Sequence, residues 1–97
     1  MRHYHRTHVT ADSVLSLADT YFAKLGLALS GTADRSRTFA GPLGALTLRV
    51  GSEGGHYTRI DVDTDQMGES RLDRNVKRFF VQVHRAADST YTLQAAY

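Results

Sequence analysis

The chain contains no cysteine, which excludes disulfides, thiolate metal sites and cysteine nucleophiles and leaves the core alone to hold the fold. No apolar run approaches the roughly 20 residues that a membrane-crossing helix requires. The opening MRHYHRTHVT also lacks the apolar stretch of a secretory signal. A cytoplasmic protein is the expectation. Net charge is scarce as well: 12 basic residues against 10 acidic ones leave +2. A nucleic-acid binder would therefore need its positive charge gathered in one place. Catalytic signatures are missing. None of Ser30, Ser52 and Ser70 stands in a strand–Gly-x-Ser-x-Gly–helix setting, and no acid is spaced to orient His56 or His84. The glycine-rich stretch 51–55 links two strands and opens no helix, so it reads as a hairpin turn rather than a phosphate-cradling loop. These absences lead to the expectation of a non-catalytic protein without cofactor or metal.

What is present suits one folded unit. With 97 residues, 41% hydrophobic and 23% charged, the chain can bury a single core but is marginal for also enclosing a large cavity. Residues 1–97 are read as one domain. Residues 2–9 read as a strand at a sheet edge. Thr10 or Asp12 can cap the helix that follows, whose Val14, Leu15, Leu17, Ala18, Tyr21, Phe22 and Leu25 share one apolar face. Gly26 then ends it, accepting a left-handed backbone without a Cβ penalty.

The middle of the chain reads as sheet. A short strand over 27–30 is followed by a turn-rich interruption over 31–34 and a second strand over 35–40. Gly41-Pro42-Leu43-Gly44 is a turn in which proline fixes φ, and it places Phe39 opposite Leu46. Leu46, Leu48 and Val50 alternate with Thr47 and Arg49, as Ile60 and Val62 do with Arg59, Asp61 and Asp63, a period of two that marks strands. A three-residue loop Glu53-Gly54-Gly55 would set Leu48 opposite Ile60 and Leu46 opposite Val62. Ser70 and Asp73 match a capping box before the apolar run of a last helix, from about Ser70 to about Ala87. The alternation of Tyr91, Leu93, Ala95 and Tyr97 suits either a final strand or a loose tail over 90–97.

The expected architecture is an α+β two-layer sandwich of order β-α-β-β-β-β-α, its antiparallel sheet covered on one face by both helices. In the TATA-binding-protein-like and helix-grip folds, a curved antiparallel sheet is likewise gripped by a long C-terminal helix. Three stretches carry a closer likeness: the opening strand ending Arg6-Thr7-His8, the helix from Leu17-Ala18-Asp19 to Lys24-Leu25-Gly26, and Phe39-Ala40-Gly41-Pro42-Leu43-Gly44-Ala45-Leu46. Through these the chain resembles the polyhydroxyalkanoic acid system family of small bacterial proteins over roughly Arg6 to Val83. That resemblance implies granule association or an accessory role rather than catalysis. The arginine-rich last helix and the segment after Ala87 depart from the family pattern.

The strongest functional signal lies in that helix. At about 100° per residue, Leu72, Val76, Phe79, Phe80 and Val83 occupy one side, while Arg71, Arg74, Arg78 and Arg85 lie within an arc of about 60° on the other. Each like-charge pair at helical spacing costs a few tenths of a kcal/mol, which a stable domain can carry, and Asp73 offers local compensation to Lys77. The stripe is read as a contact for an acidic partner surface, and the exposed Val81 beside it suits a protein interface. The carboxylates of Asp61, Asp63 and Asp65 on the outer sheet face offer a second copy as that partner, head to tail. An alternative is a carrier of a hydrophobic small ligand between the last helix and the sheet, against which Phe79 and Phe80 argue by filling the space. A third is binding to nucleic acid or another anionic surface, with no aromatics interleaved among the arginines to stack on bases.

Other groups invite metal chemistry and resist it. Asp61-x-Asp63-x-Asp65 begins like a calcium loop, but Gln66 stands where the turn needs glycine and Leu72 where a glutamate belongs. His3 and His5 share a strand face while His8 points away, with no carboxylate near them in sequence. Arg37, on the same strand face as Phe39, needs either a route to water or an anion to hold.

Overall fold

A computed structural model of the chain describes the backbone of residues 1–95 and the side chains of residues 1–87. Strand β1 (Arg2–Thr7) leads into helix α1 (Ala11–Lys24), strands β2 (Ala28–Ala33), β3 (Ser36–Gly41), β4 (Gly44–Glu53) and β5 (Tyr57–Thr64), and helix α2 (Arg71–Ala95). The strands form one antiparallel sheet of order β1-β5-β4-β3-β2. The expected order of elements and the α+β class are therefore both present, with β1 at an edge.

Local chemistry explains the boundaries. Thr10 caps α1, its hydroxyl accepting from the Ser13 amide at 3.3 Å. Gly26, at φ 96°, ends the helix while the Leu27 amide returns to the Phe22 carbonyl at 3.0 Å. At the head of α2, Ser70 Oγ accepts from the Asp73 amide at 3.0 Å and donates to Asp73 Oδ2 at 2.6 Å. Both helices lay their apolar sides on one face of the sheet. Phe22, Phe39 and Phe79 meet there, with ring centres 5.3 Å apart for Phe22–Phe39 and 5.2 Å for Phe22–Phe79. Val14, Ala18, Leu46, Leu48, Ile60, Val62, Leu72, Val76 and Val83 complete the core.

Three expectations are corrected. Residues 31–33 are not a turn: β2 runs on to Ala33, with a bulge between Leu29 and Gly31. An exposed edge strand has little to bury, so Ser30-Gly31-Thr32-Ala33 carries no apolar alternation, and it is pairing to β3 that makes it strand. The β4–β5 register is displaced by two residues, with Val50 opposite Ile60, Leu48 opposite Val62 and Leu46 opposite Thr64. A slip of two keeps every side chain on its face, so the apolar pattern cannot detect it. The turn decides instead, because Gly54 and Gly55 both take positive φ, +65° and +76°, and Glu53 pairs with Tyr57 as the last rung. The β3–β4 register is as expected, with Phe39 opposite Leu46. Finally, α2 does not stop near Ala87 but continues to Ala95. Neither proline nor glycine interrupts it after Ser70, so propagation continues at one bond per residue. The tail is thus helical as far as it is described, and Ala96 and Tyr97 of the alternative final strand lie outside the described residues.

Candidate functional site

The uncovered face of the sheet is rich in charge, and its charges answer one another. Asp63 takes Arg2 Nε at 3.1 Å and Arg49 Nη2 at 2.6 Å. Glu53 takes Arg6 Nη2 at 2.8 Å and Arg59 Nη1 at 3.6 Å. Arg59 Nε also reaches Asp61 at 3.2 Å, and its guanidinium lies 4.7 Å over the Tyr4 ring. Asp65 accepts from the Ala45 amide and from Gln66 Nε2, both at 2.9 Å, and so anchors the approach to α2. Hydrogen bonds hold three of these carboxyls below the ordinary carboxylate range: from Arg6 to Glu53, from Arg2 to Asp63 and from the Ala45 amide to Asp65. The acidic strand is therefore engaged within its own molecule. Asp61 and Asp63 sit in a strand rather than a calcium loop.

Arg37 finds its anion inside the chain as well. Its Nε lies 3.3 Å from Asp19 Oδ1 on α1, and Nη1 donates to the carbonyls of Ala33 and Ser36 at 3.2 and 3.0 Å. No external anion is needed to explain it.

On α2 the situation reverses. Arg71, Arg74, Arg78 and Arg85 are all exposed. Among the described residues, no carboxylate lies within ion-pair distance of any of them. Arg74 only turns Nε back to the Glu69 carbonyl at 3.2 Å. The compensation expected from Asp73 to Lys77 does not form, since Asp73 turns into the core and Lys77 lies 3.8 Å from Glu69 instead. Val81 stands 48% exposed beside the row. Beside the stripe runs a groove of about 280 Å³ between the helices, lined by Leu17, Thr20, Tyr21, Lys24 and Leu25 of α1 and Gln82 of α2. Tyr21 donates to Asn75 Oδ1 at 3.0 Å; burial raises its phenol pKa, and the nearby Arg78 charge partly opposes the rise. Between the helices and the sheet, Phe22, Phe39 and Phe79 are buried against one another.

One cluster could not be seen in the sequence. His3 Nε2 donates to Asp73 Oδ1 at 2.8 Å, Thr64 Oγ1 donates to the same oxygen at 2.8 Å, and Ser70 Oγ donates to Oδ2. Both His3 and Asp73 are buried. Burial pushes the Asp73 carboxyl up, but the bonds from Ser70, His3 and Thr64 outweigh it and hold it below the ordinary range. The position at the start of α2 adds the favourable end of the helix dipole. The carboxylate sits between serine and histidine, so the serine proton faces a carboxylate rather than an imidazole base, which is the wrong order for activating a nucleophile. The cluster ties β1, β5 and α2 together. Half of it was visible as the capping box, and alternation with Thr7 puts His3 on the inner face. Their meeting depends on β1 pairing with β5, which sets His3 opposite Val62, a residue 59 positions further along the chain.

The remaining histidines have other neighbours. His5 stacks on Phe80 at 5.2 Å, and His8 packs on Tyr57 at 4.7 Å. Burial, then the nearby His84 charge, lowers the His5 pKa. Among the described residues, no three of His, Asp and Glu converge in a way that could hold a metal ion. No described helix is long and apolar enough to cross a membrane. Comparison with models of known protein families finds no match, and no curated protein matches the chain.

Proposed function

We propose that the protein is a small, non-catalytic binding or assembly module, working in the cytoplasm, that contacts an acidic partner surface through Arg71, Arg74, Arg78 and Arg85. One contrast carries this reading. Arg2, Arg6, Arg37, Arg49 and Arg59 each have a carboxylate partner within the chain, whereas the four arginines of the α2 stripe have none among the described residues. Four like charges on one exposed face are tolerable, but they raise the local potential and favour an anionic counterpart. Exposed Val81 favours a protein surface over a phosphate track. The accessory role implied by the resemblance to the polyhydroxyalkanoic acid system family agrees with a module of this kind.

The test is charge reversal. Wild-type protein and the double variant Arg74→Glu/Arg78→Glu are used as baits in extracts of the native host, with thermal melting of both followed in parallel. The expected outcome is retention of acidic proteins by the wild type, their loss from the variant, and melting temperatures within a few degrees of each other, since neither arginine packs in the core. Equal retention by both baits contradicts the proposal.

A further inference from the structure

The groove beside the stripe says what form the acidic partner takes. Its floor is made of Leu17, Tyr21 and Leu25, each half-buried and packed on the core cluster from outside. The Tyr21 ring is fixed in place by its bond to Asn75. Lys24 rises from the α1 side, and Gln82 lies on α2 one turn after Arg78 and just before Arg85. Among the described residues no carboxylate lines the groove, and Asp19, on the same helix as Lys24, is taken by Arg37. At about 280 Å³ the groove is smaller than sites that bury a drug-sized ligand, typically ~300–1,000 Å³. Apolar side chains of a third helix can instead lie in the furrow between two others, with acidic positions on that helix facing the cations along the rim.

We propose that the α1–α2 groove seats an amphipathic, acidic helix of a partner protein, its apolar anchors on Leu17, Tyr21 and Leu25 and its carboxylates towards Lys24, Arg78 and Arg85. This rests on the stripe being an acid-binding surface and adds the apolar half of the contact. Charge then steers the encounter and sets orientation, while burial of the anchors holds the complex.

The test uses a fluorescent synthetic peptide of about four helical turns, with leucines on one face and glutamates flanking them, titrated with the full chain by anisotropy. Saturable binding is expected, weakened about tenfold or more by Thr20→Glu, which places bulk and negative charge on the groove wall at an exposed position. Replacing the peptide leucines by serine should weaken it as much. Arg35→Glu, the same change of charge in the exposed β2–β3 turn, should leave affinity within about twofold. The groove is overturned if Thr20→Glu binds like the wild type, if the serine peptide binds equally well, or if the wild type sediments with phosphatidylglycerol vesicles yet gives no saturation with the peptide. Loss of peptide binding in Arg74→Glu/Arg78→Glu with none in Thr20→Glu sinks the groove and leaves the stripe standing. Peptide binding unchanged in both variants sinks both.

Discussion

Asp73 presents two carboxylate oxygens to three side-chain donors in a buried site, Oδ1 taking His3 and Thr64 and Oδ2 taking Ser70. An asparagine there keeps the shape but replaces one acceptor by a donor, so at least one partner loses its bond. Asp73→Asn is expected to cost about 2 kcal/mol in urea unfolding near neutral pH, the usual penalty for an unsatisfied buried polar group. The pH dependence has a definite sign. Since the folded state holds Asp73 below the value of about 4 that it has in the unfolded chain, its contribution is complete above that pH. It is lost as the pH falls through the lower, folded value. Glu53, Asp63 and Asp65 are lowered in the same direction, so the wild type should lose stability steeply below about pH 4, and the asparagine variant less steeply. Unfolding curves with parallel acid slopes in the two proteins would contradict this role for Asp73.

Among the elements, the turns fix what apolar alternation leaves open. Alternation identified β4 and β5 and the face each residue takes, but it is blind to a slip of two, and only the left-handed pair Gly54 and Gly55 sets Val50 against Ile60. β2 is only half legible because an exposed edge buries so little, and the end of α2 is not legible because its alternating tail carries the period of a strand while no proline or glycine stops the helix before Ala95. Gly41-Pro42-Leu43-Gly44 was legible throughout, and its last residue has a strict geometric demand. Gly44 takes φ +127°, and a Cβ there would come within 2.6 Å of Asp65 Oδ1 and 2.7 Å of Gln66 Nε2. Gly44→Ala should therefore destabilise by about 2 kcal/mol, from backbone strain together with displacement of the Asp65 bond to the Ala45 amide. Chemical denaturation measures it, and a variant as stable as the wild type would mean that the turn relaxes without cost.

At the scale of the whole molecule, charge is sorted by layer. The outer sheet face interleaves its arginines with Glu53, Asp61 and Asp63, while the outer helix face keeps Arg71, Arg74, Arg78 and Arg85 together and without carboxylates among the described residues. The stripe itself could be read from helical spacing. Its lack of partners could not, because pairing depends on which carboxylates the topology brings near: Asp73, close to the stripe in sequence, turns inward to His3, and Asp61 and Asp63 meet the sheet arginines on the opposite side of the molecule. The groove beside the stripe was likewise invisible, since it exists only where α1 and α2 lie side by side. The difference between the two arginine sets is directly measurable with an arginine-specific reagent such as phenylglyoxal, read out residue by residue by mass spectrometry, on the purified protein and again in extract of the native host. If the stripe is a partner-binding surface, Arg71, Arg74, Arg78 and Arg85 react quickly in the purified protein and become protected in the extract, while Arg2, Arg49 and Arg59 react slowly and equally in both. Stripe arginines that stay as reactive in the extract as in isolation would contradict it.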